Sequence, residues 1–406
     1  MTQLVKCTNM NSDAQLHIPN HINFACTGCG HCCFSWPVPL TEEDVRRIGG
    51  LAGSDSFRRL SSTDAKLSAY THTLEKNAQG ECQFLTREKR CRLHEQYGRD
   101  AKPAMCKLFP YTFTPTPSGV YASISFASTG ALFNSGSPLS EQRSLLEEQW
   151  QLFQKLMPAE PANWHELQIV DGTPLAWRHY VEELEPRLLE IFDPRRTTGS
   201  DSFMRACQSA SRFIIAQVPS GFDPERQLTE ARPKIVDQIL LAALLRFLYP
   251  GDIFSSLPDD MPAREIGTLL VMPPNKVALS YYGQEISLSA LLDQRLNDSP
   301  ALDELLKRYV YCRIFSKLYF GPGYNGLSLL AGLHHLLTAV AIARLIFKHQ
   351  NCLKLSVSDQ TTVAAELIRT LERRLTVARL SRQSAAMLEV LLTSPTRMER
   401  VLSMVA

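Results

Sequence analysis

Seven of the chain's eleven cysteines lie between residues 26 and 106, and four of these, Cys26, Cys29, Cys32 and Cys33, fall within eight positions. A C-x-x-C step places two thiolates on one side of a tight turn, within reach of one tetrahedral ion or of two corners of an iron–sulfur cube. Gly28 and Gly30 let the backbone curl through φ values that other residues resist. Cys82, Cys91 and Cys106 supply further donors from a distance. Seven thiols exceed one tetrahedral site. Either there are two metal sites, with His31 or His94 completing the second, or there is one centre with spare thiols for catalysis or redox exchange. Side chains of adjacent cysteines are expected to diverge, which gives Cys33 a different site or a supporting role.

The first twenty residues, MTQLVKCTNMNSDAQLHIPN, show no basic region followed by an apolar core and a small-residue cleavage site, so a cytoplasmic location is expected. There thiols serve as ligands rather than as disulfide staples. The long apolar stretch Leu327 to Phe347 contains His334, His335 and Arg344, costly at bilayer depth, and is expected to be a buried core helix with no membrane contact. A formal net charge of +2 leaves no footprint for nucleic acid as a partner. Arg87, Lys89, Arg90, Arg92, Arg99, Lys102 and Lys107 surround the later cysteines without aromatic interleaving, as expected of charges that offset a thiolate–metal centre.

The 406 residues allow two or three folding units. The expected fold class is mainly α: a small cysteine-rich metal-binding module with a β-hairpin over residues 20–133, then an α-helical domain over 141–406 that subdivides near 217–300. Thr41-Glu-Glu-Asp opens a helix that Gly49-Gly50 is expected to stop. Tyr111 to Phe126 alternates like a strand, turns at Pro117-Ser118-Gly119 and alternates again, the pattern of a hairpin. Asn134 to Ser140 looks like a linker. Helical periodicity then predicts helices over Glu141–Met157, Glu182–Phe192, Lys234–Leu248, Leu302–Phe320, Leu327–Phe347, Thr362–Leu380 and Gln383–Leu392, with prolines between them. Val277 to Leu288 suggests two short strands around Gly283.

The bacterial ferredoxin run expects a cysteine before proline where this chain has Trp36-Pro37, so a fourth ligand to the knuckle must come from elsewhere. Taken together, the C-x-x-C-x-x-C-C knuckle, the pair Cys82 and Cys91, and K-P-x-x-C-x-x-F-P from Lys102 to Pro110 resemble the YkgJ-type cysteine cluster family, a zinc- or iron-chelating domain, over roughly residues 20 to 130. The resemblance implies Cys26, Cys29, Cys32, Cys33, Cys82, Cys91 and Cys106 as metal ligands of zinc or of an iron–sulfur cluster, the four-iron type being expected. Length and the helical second half also resemble the flagellin lysine-N-methylase branch. That resemblance implies an enzyme that moves methyl groups from S-adenosylmethionine to lysines of a protein partner such as flagellin. Methyl transfer needs a base and an aromatic cage; Tyr309, Tyr311, Tyr319, Phe320 and Tyr324 around Gly321-Pro322-Gly323 are candidates, with ordinary helix packing as the plainer account. His334-His335 and the isolated Cys207, Cys312 and Cys352 are expected in the core. Three functional classes stay open: a methylase-like metalloprotein, a non-catalytic zinc-stabilised interaction module, and an iron–sulfur redox protein.

Overall fold

Thr41 and Asp44 cap each other. The Thr41 hydroxyl accepts the Asp44 N–H at 3.1 Å while the Asp44 carboxylate accepts the Thr41 N–H at 3.2 Å, and the helix Glu42–Ala52 starts on that box. The helix runs through Gly49-Gly50 instead of stopping there. Glycine lowers helix propensity by about 1 kcal/mol without forbidding the conformation. In the computed structural model the described residues are 15–34, 37–52, 57–60, 69–157, 162–196, 202–219, 232–249, 266–274, 279–281, 284–293, 300–351, 357–377 and 380–405.

Two hydrophobic cores organise these residues. The smaller gathers Val38, Leu40, Ile48, Leu74, Cys82, Phe84, Leu93 and Ala101, with Cys33, Cys91 and Cys106 packed against it. Around it lie a three-stranded antiparallel sheet in the order Pro39–Leu40, His72–Leu74, Phe57–Arg59 and the short helices Arg92–Tyr97 and Ala104–Leu108. Asp44, 2% exposed, reaches across to accept the Ala104 N–H at 3.1 Å, so the capping residue also locks the stretch before Cys106.

The larger core runs from Leu16 to Val405. The expected hairpin forms as Tyr111–Thr116 against Gly119–Ile124, its last pair Thr116 and Gly119 closing a two-residue turn at Pro117-Ser118. Leu16–His17 adds a parallel strand to its outer edge. Phe113, Val120, Ala122, Ile124 and Phe126 join this larger core, so the hairpin packs with the helical half. The stretch read as a linker is pinned: Ser137–Pro138 pairs antiparallel with Asn23–Phe24, and Gln142 Nε2 donates to the Phe24 carbonyl at 2.9 Å.

The helical half follows the periodicity in Arg143–Leu156, Glu185–Ile191, Ile235–Leu248, Pro300–Phe315, Leu329–Asn351, Val357–Val377 and Arg382–Leu392. The predicted Leu302–Phe320 helix ends five residues early, where Lys317 turns into positive φ (56°). Two further helices, Ser202–Ile215 and Pro395–Met404, are absent from the sequence expectations. Leu279–Tyr281 and Gln284–Ile286 pair antiparallel as expected, with Gly283 outside the described residues. Of the described helices, that spanning Leu329–His349 is long and apolar enough to cross a membrane, and its whole apolar window is buried inside the fold.

Candidate metal centre

The cysteine knuckle is built by backbone hydrogen bonds. His31–Cys33 form a single 3₁₀ turn in which the Cys33 N–H donates to the Gly30 carbonyl at 2.9 Å. Gly28 and Gly30 adopt φ of 67° and 72° as the sequence suggests. Gly30 is further constrained, because a Cβ there would lie 2.9 Å from the Lys89 carbonyl oxygen. The knuckle is then tied to the second cysteine stretch. The Cys33 carbonyl accepts both the Cys82 N–H at 2.9 Å and the Lys76 ammonium at 3.0 Å, and Phe34 bridges to Glu81.

This stitching brings five of the seven predicted ligands into one neighbourhood. Cys33, Cys82, Cys91 and Cys106 all touch the small core. The Cys32 and Cys33 sulfurs are 4.0 Å apart, so the adjacent side chains converge, contrary to the expectation from sequence. The tight turn is the reason, since a 3₁₀ step does not splay neighbours as an extended chain does. Two thiolates bound to one zinc at about 2.3 Å in tetrahedral geometry stand ~3.8 Å apart. The observed separation is therefore close to one edge of such a site.

Protonation within the group follows proximity. A hydrogen bond from Cys33 pulls the Cys32 thiol down, while the same bond, burial and the charges of Cys32, Cys106 and Cys82 push Cys33 up. Burial raises Cys82, and raises Cys106 to about 12, with the neighbouring cysteines adding to both. A group of thiols that oppose one another's ionisation, with Lys76 and Lys102 favouring it, is a donor set suited to a thiophilic dication, whose charge reverses the balance. Among the described residues no three His, Cys, Asp or Glu side chains already converge on a single point.

Cys26 and Cys29 lie on the turn that precedes Cys32 and Cys33. Cys26 is exposed, and the half-buried Cys29 sulfur lies 3.0 Å from the Thr129 hydroxyl. His31 keeps part of its surface exposed; partial desolvation of its ring lowers its pKa first, Arg369 and Arg373 of the helical half add to this, and Glu366 opposes it. His94 is exposed on its short helix. Cys207 and Cys312 are buried, form no disulfide and belong to the larger core, as expected of small apolar residues, whereas Cys352 lies outside the described residues. The proposed aromatic cage is closed: Tyr309, Tyr311, Tyr319, Phe320 and Tyr324 are all buried, so ordinary packing describes them. Three supporting residues carry no motif: Lys76, Thr129 and Arg369.

Residues 25–129 match the family model described as "Putative zinc- or iron-chelating domain", whose signature is CxxCxxCC. This region is similar to the CxxCxxCC domain family. It covers 105 of the 406 residues, about a quarter of the chain. No curated protein and no solved structure matches the chain. The matched region includes the small core, all seven clustered cysteines and the hairpin, and ends at Thr129, the residue in contact with Cys29.

Proposed function

We propose that the CxxCxxCC-like region holds one zinc or iron ion through four thiolates, drawn first from Cys32, Cys33, Cys82, Cys91 and Cys106, with Cys26 and Cys29 on the adjoining turn as alternative members of that set of four. The ion staples a core too small to hold its own shape onto the helical body. The observation that carries this reading is the 4.0 Å separation of the Cys32 and Cys33 sulfurs beside three other thiols. Sulfurs on different irons of a cluster are separated by an iron–iron edge in addition to two Fe–S bonds, so a short pair favours a single ion over the expected four-iron cluster. When bound, the ion supplies charge compensation and a rigid tetrahedral node; the chain supplies the thiolates, and Lys76 and Lys102 ease their deprotonation.

Anaerobic purification followed by elemental analysis and an absorption spectrum tests it. One zinc or one iron per chain, without the brown colour of a cluster, is expected. Several irons with stoichiometric sulfide overturn the single-ion reading. Methyl transfer from S-adenosylmethionine and a flagellin partner rest on the sequence resemblance alone.

A further inference from the structure

The turn carrying Cys26 and Cys29 lies outside the small core, against a strip of the larger one. Ala25 fits there because residues 130 and 136 are glycines: a Cβ on Gly130 would come 2.2 Å from the Ala25 carbonyl oxygen, and one on Gly136 2.4 Å from the Ala25 Cβ. Beside this contact the Cys29 sulfur meets Thr129 Oγ1 at 3.0 Å. The same hydroxyl oxygen accepts Arg369 Nη2 at 2.9 Å, and Arg369 Nε donates to the Ala127 carbonyl at 3.2 Å. Arg369 is 4% exposed and belongs to the helix Val357–Val377. Glu372, on the same helix face, accepts the Ser125 hydroxyl at 2.8 Å. Two side chains of one distant helix therefore grip residues 125–129, and the grip continues through Thr129 to a cysteine of the knuckle.

The chemistry of the shared hydroxyl gives this chain of contacts a direction. Thr129 Oγ1 has two lone pairs and one proton. With Arg369 donating into one lone pair, the hydroxyl proton is polarised and free to point at sulfur once Cys29 is a thiolate. A buried guanidinium, itself paired with Glu366, thereby orients the Thr129 hydroxyl towards the knuckle without touching it.

We propose that Arg369 is a positioning residue for the metal centre. Acting through Thr129, it fixes the C-x-x-C turn that leads into Cys32 and Cys33, so that metal binding and the docking of the 357–377 helix favour each other. The proposal rests on the metal-centre reading above. Because coupling free energies are reciprocal, whatever Arg369 adds to metal affinity, bound metal returns to the seating of that helix.

The test uses the full chain, with zinc affinity measured by chelator competition and amide exchange followed across residues 363–375. Thr129→Val removes the hydroxyl at nearly constant shape, and Thr129→Ser keeps it. Thr129→Val and Arg369→Lys are expected to weaken zinc binding about tenfold, the low end for lost supporting contacts around metal ligands. Thr129→Ser keeps wild-type affinity, and metal-free Thr129→Val melts lower only by the loss of one buried hydrogen bond to Arg369, so affinities are compared at a temperature where both metal-free chains are folded. Zinc slows exchange across 363–375 in the wild type and fails to do so in Thr129→Val. Wild-type affinity in Thr129→Val, or equal weakening in Thr129→Ser, overturns the role of Arg369 and leaves the metal centre standing. A wild-type chain that takes up neither zinc nor iron overturns both.

Discussion

At the residue scale, the cysteines differ in what surrounds them, and substitutions should sort accordingly. Cys33→Ser removes a thiol that lies 4.0 Å from a second one and packs on the small core, so most of the bound metal should be lost and the small core loosened. Cys207→Ser should leave metal content unchanged, because Cys207 is fully buried in the larger core among apolar neighbours. Equal metal content in the two purified variants would show the ligand set to be wrong. A second buried charge site is independent of metal. Lys317 is 0% exposed; its ammonium donates to Glu185 at 2.6 Å and to the Phe315 carbonyl at 2.7 Å, and faces the Tyr121 ring. Burial pushes Lys317 down to about 7 and raises Glu185, while their mutual attraction pulls each back. Lys317→Met strands the carboxylate and should cost about 3–5 kcal/mol in a denaturant melt, whereas Lys317→Met combined with Glu185→Leu should recover much of that loss. Non-recovery in the double variant would mean that the cost lies in packing against Tyr121, not in the unpaired charge.

At the element scale, periodicity is strongest where one face meets a core, and the long helices were legible for that reason. Ser202–Ile215 was not predicted although Phe203, Ala206, Cys207, Ala210 and Ile214 keep a clean buried stripe; its small residues disguise the pattern. Pro395–Met404 did carry a start signal, since the Ser394 hydroxyl accepts the Arg397 N–H at 3.3 Å ahead of a first-turn proline. The central helix Leu329–Asn351 makes its own prediction. His334 Nδ1 lies 2.6 Å from the Leu392 carbonyl, which can only accept, so that nitrogen carries the proton and Nε2 accepts from Ser211 at 2.8 Å. His335 stacks on Tyr324. Burial lowers both histidines from 6.5 to about 4. Between those values the unfolded chain binds protons that the folded chain refuses, so stability rises with pH across that window and is lost as pH falls from about 6.5 towards 4. Each histidine contributes on the order of 3 kcal/mol to that slope. Denaturant melts of His335→Leu at pH 7, 5.5 and 4 should show a shallower acid loss than the wild type. An unchanged slope would place the acid sensitivity elsewhere.

At the scale of the whole molecule, the cysteine spacing was legible because it is a local property, and the convergence of Cys82, Cys91 and Cys106 on the knuckle was expected from it, but the contacts that bring them together were not, because no local pattern records them. The Cys33 carbonyl gathers Cys82 and Lys76 from more than forty positions away, and Arg369 approaches Cys29 across 340. The hairpin shows the same: it lies within the matched residues 25–129, as the resemblance implied, while its side chains belong to the larger core. The two cores should therefore respond differently to metal removal. The small one counts eight buried apolar side chains among the described residues, one of them Cys82 itself, and its strands are two or three residues long. Such a core offers little burial against the entropy of ordering its loops, so on the proposed reading a bound ion would carry much of its folding free energy. The larger core has the buried helices 300–315, 329–351 and 235–248 and an internal Arg400–Asp237 pair at 2.6 Å. Treating the purified protein with a strong chelator should raise amide exchange across residues 37–52 and 70–108 by orders of magnitude. Exchange across 329–349 should stay as slow as before, with an intermediate change confined to 125–129 and 363–375, where the two bodies meet. Uniform protection in the presence and absence of chelator would mean that the small core stands without an ion, and simultaneous loss across both cores would mean that the molecule folds as one cooperative unit.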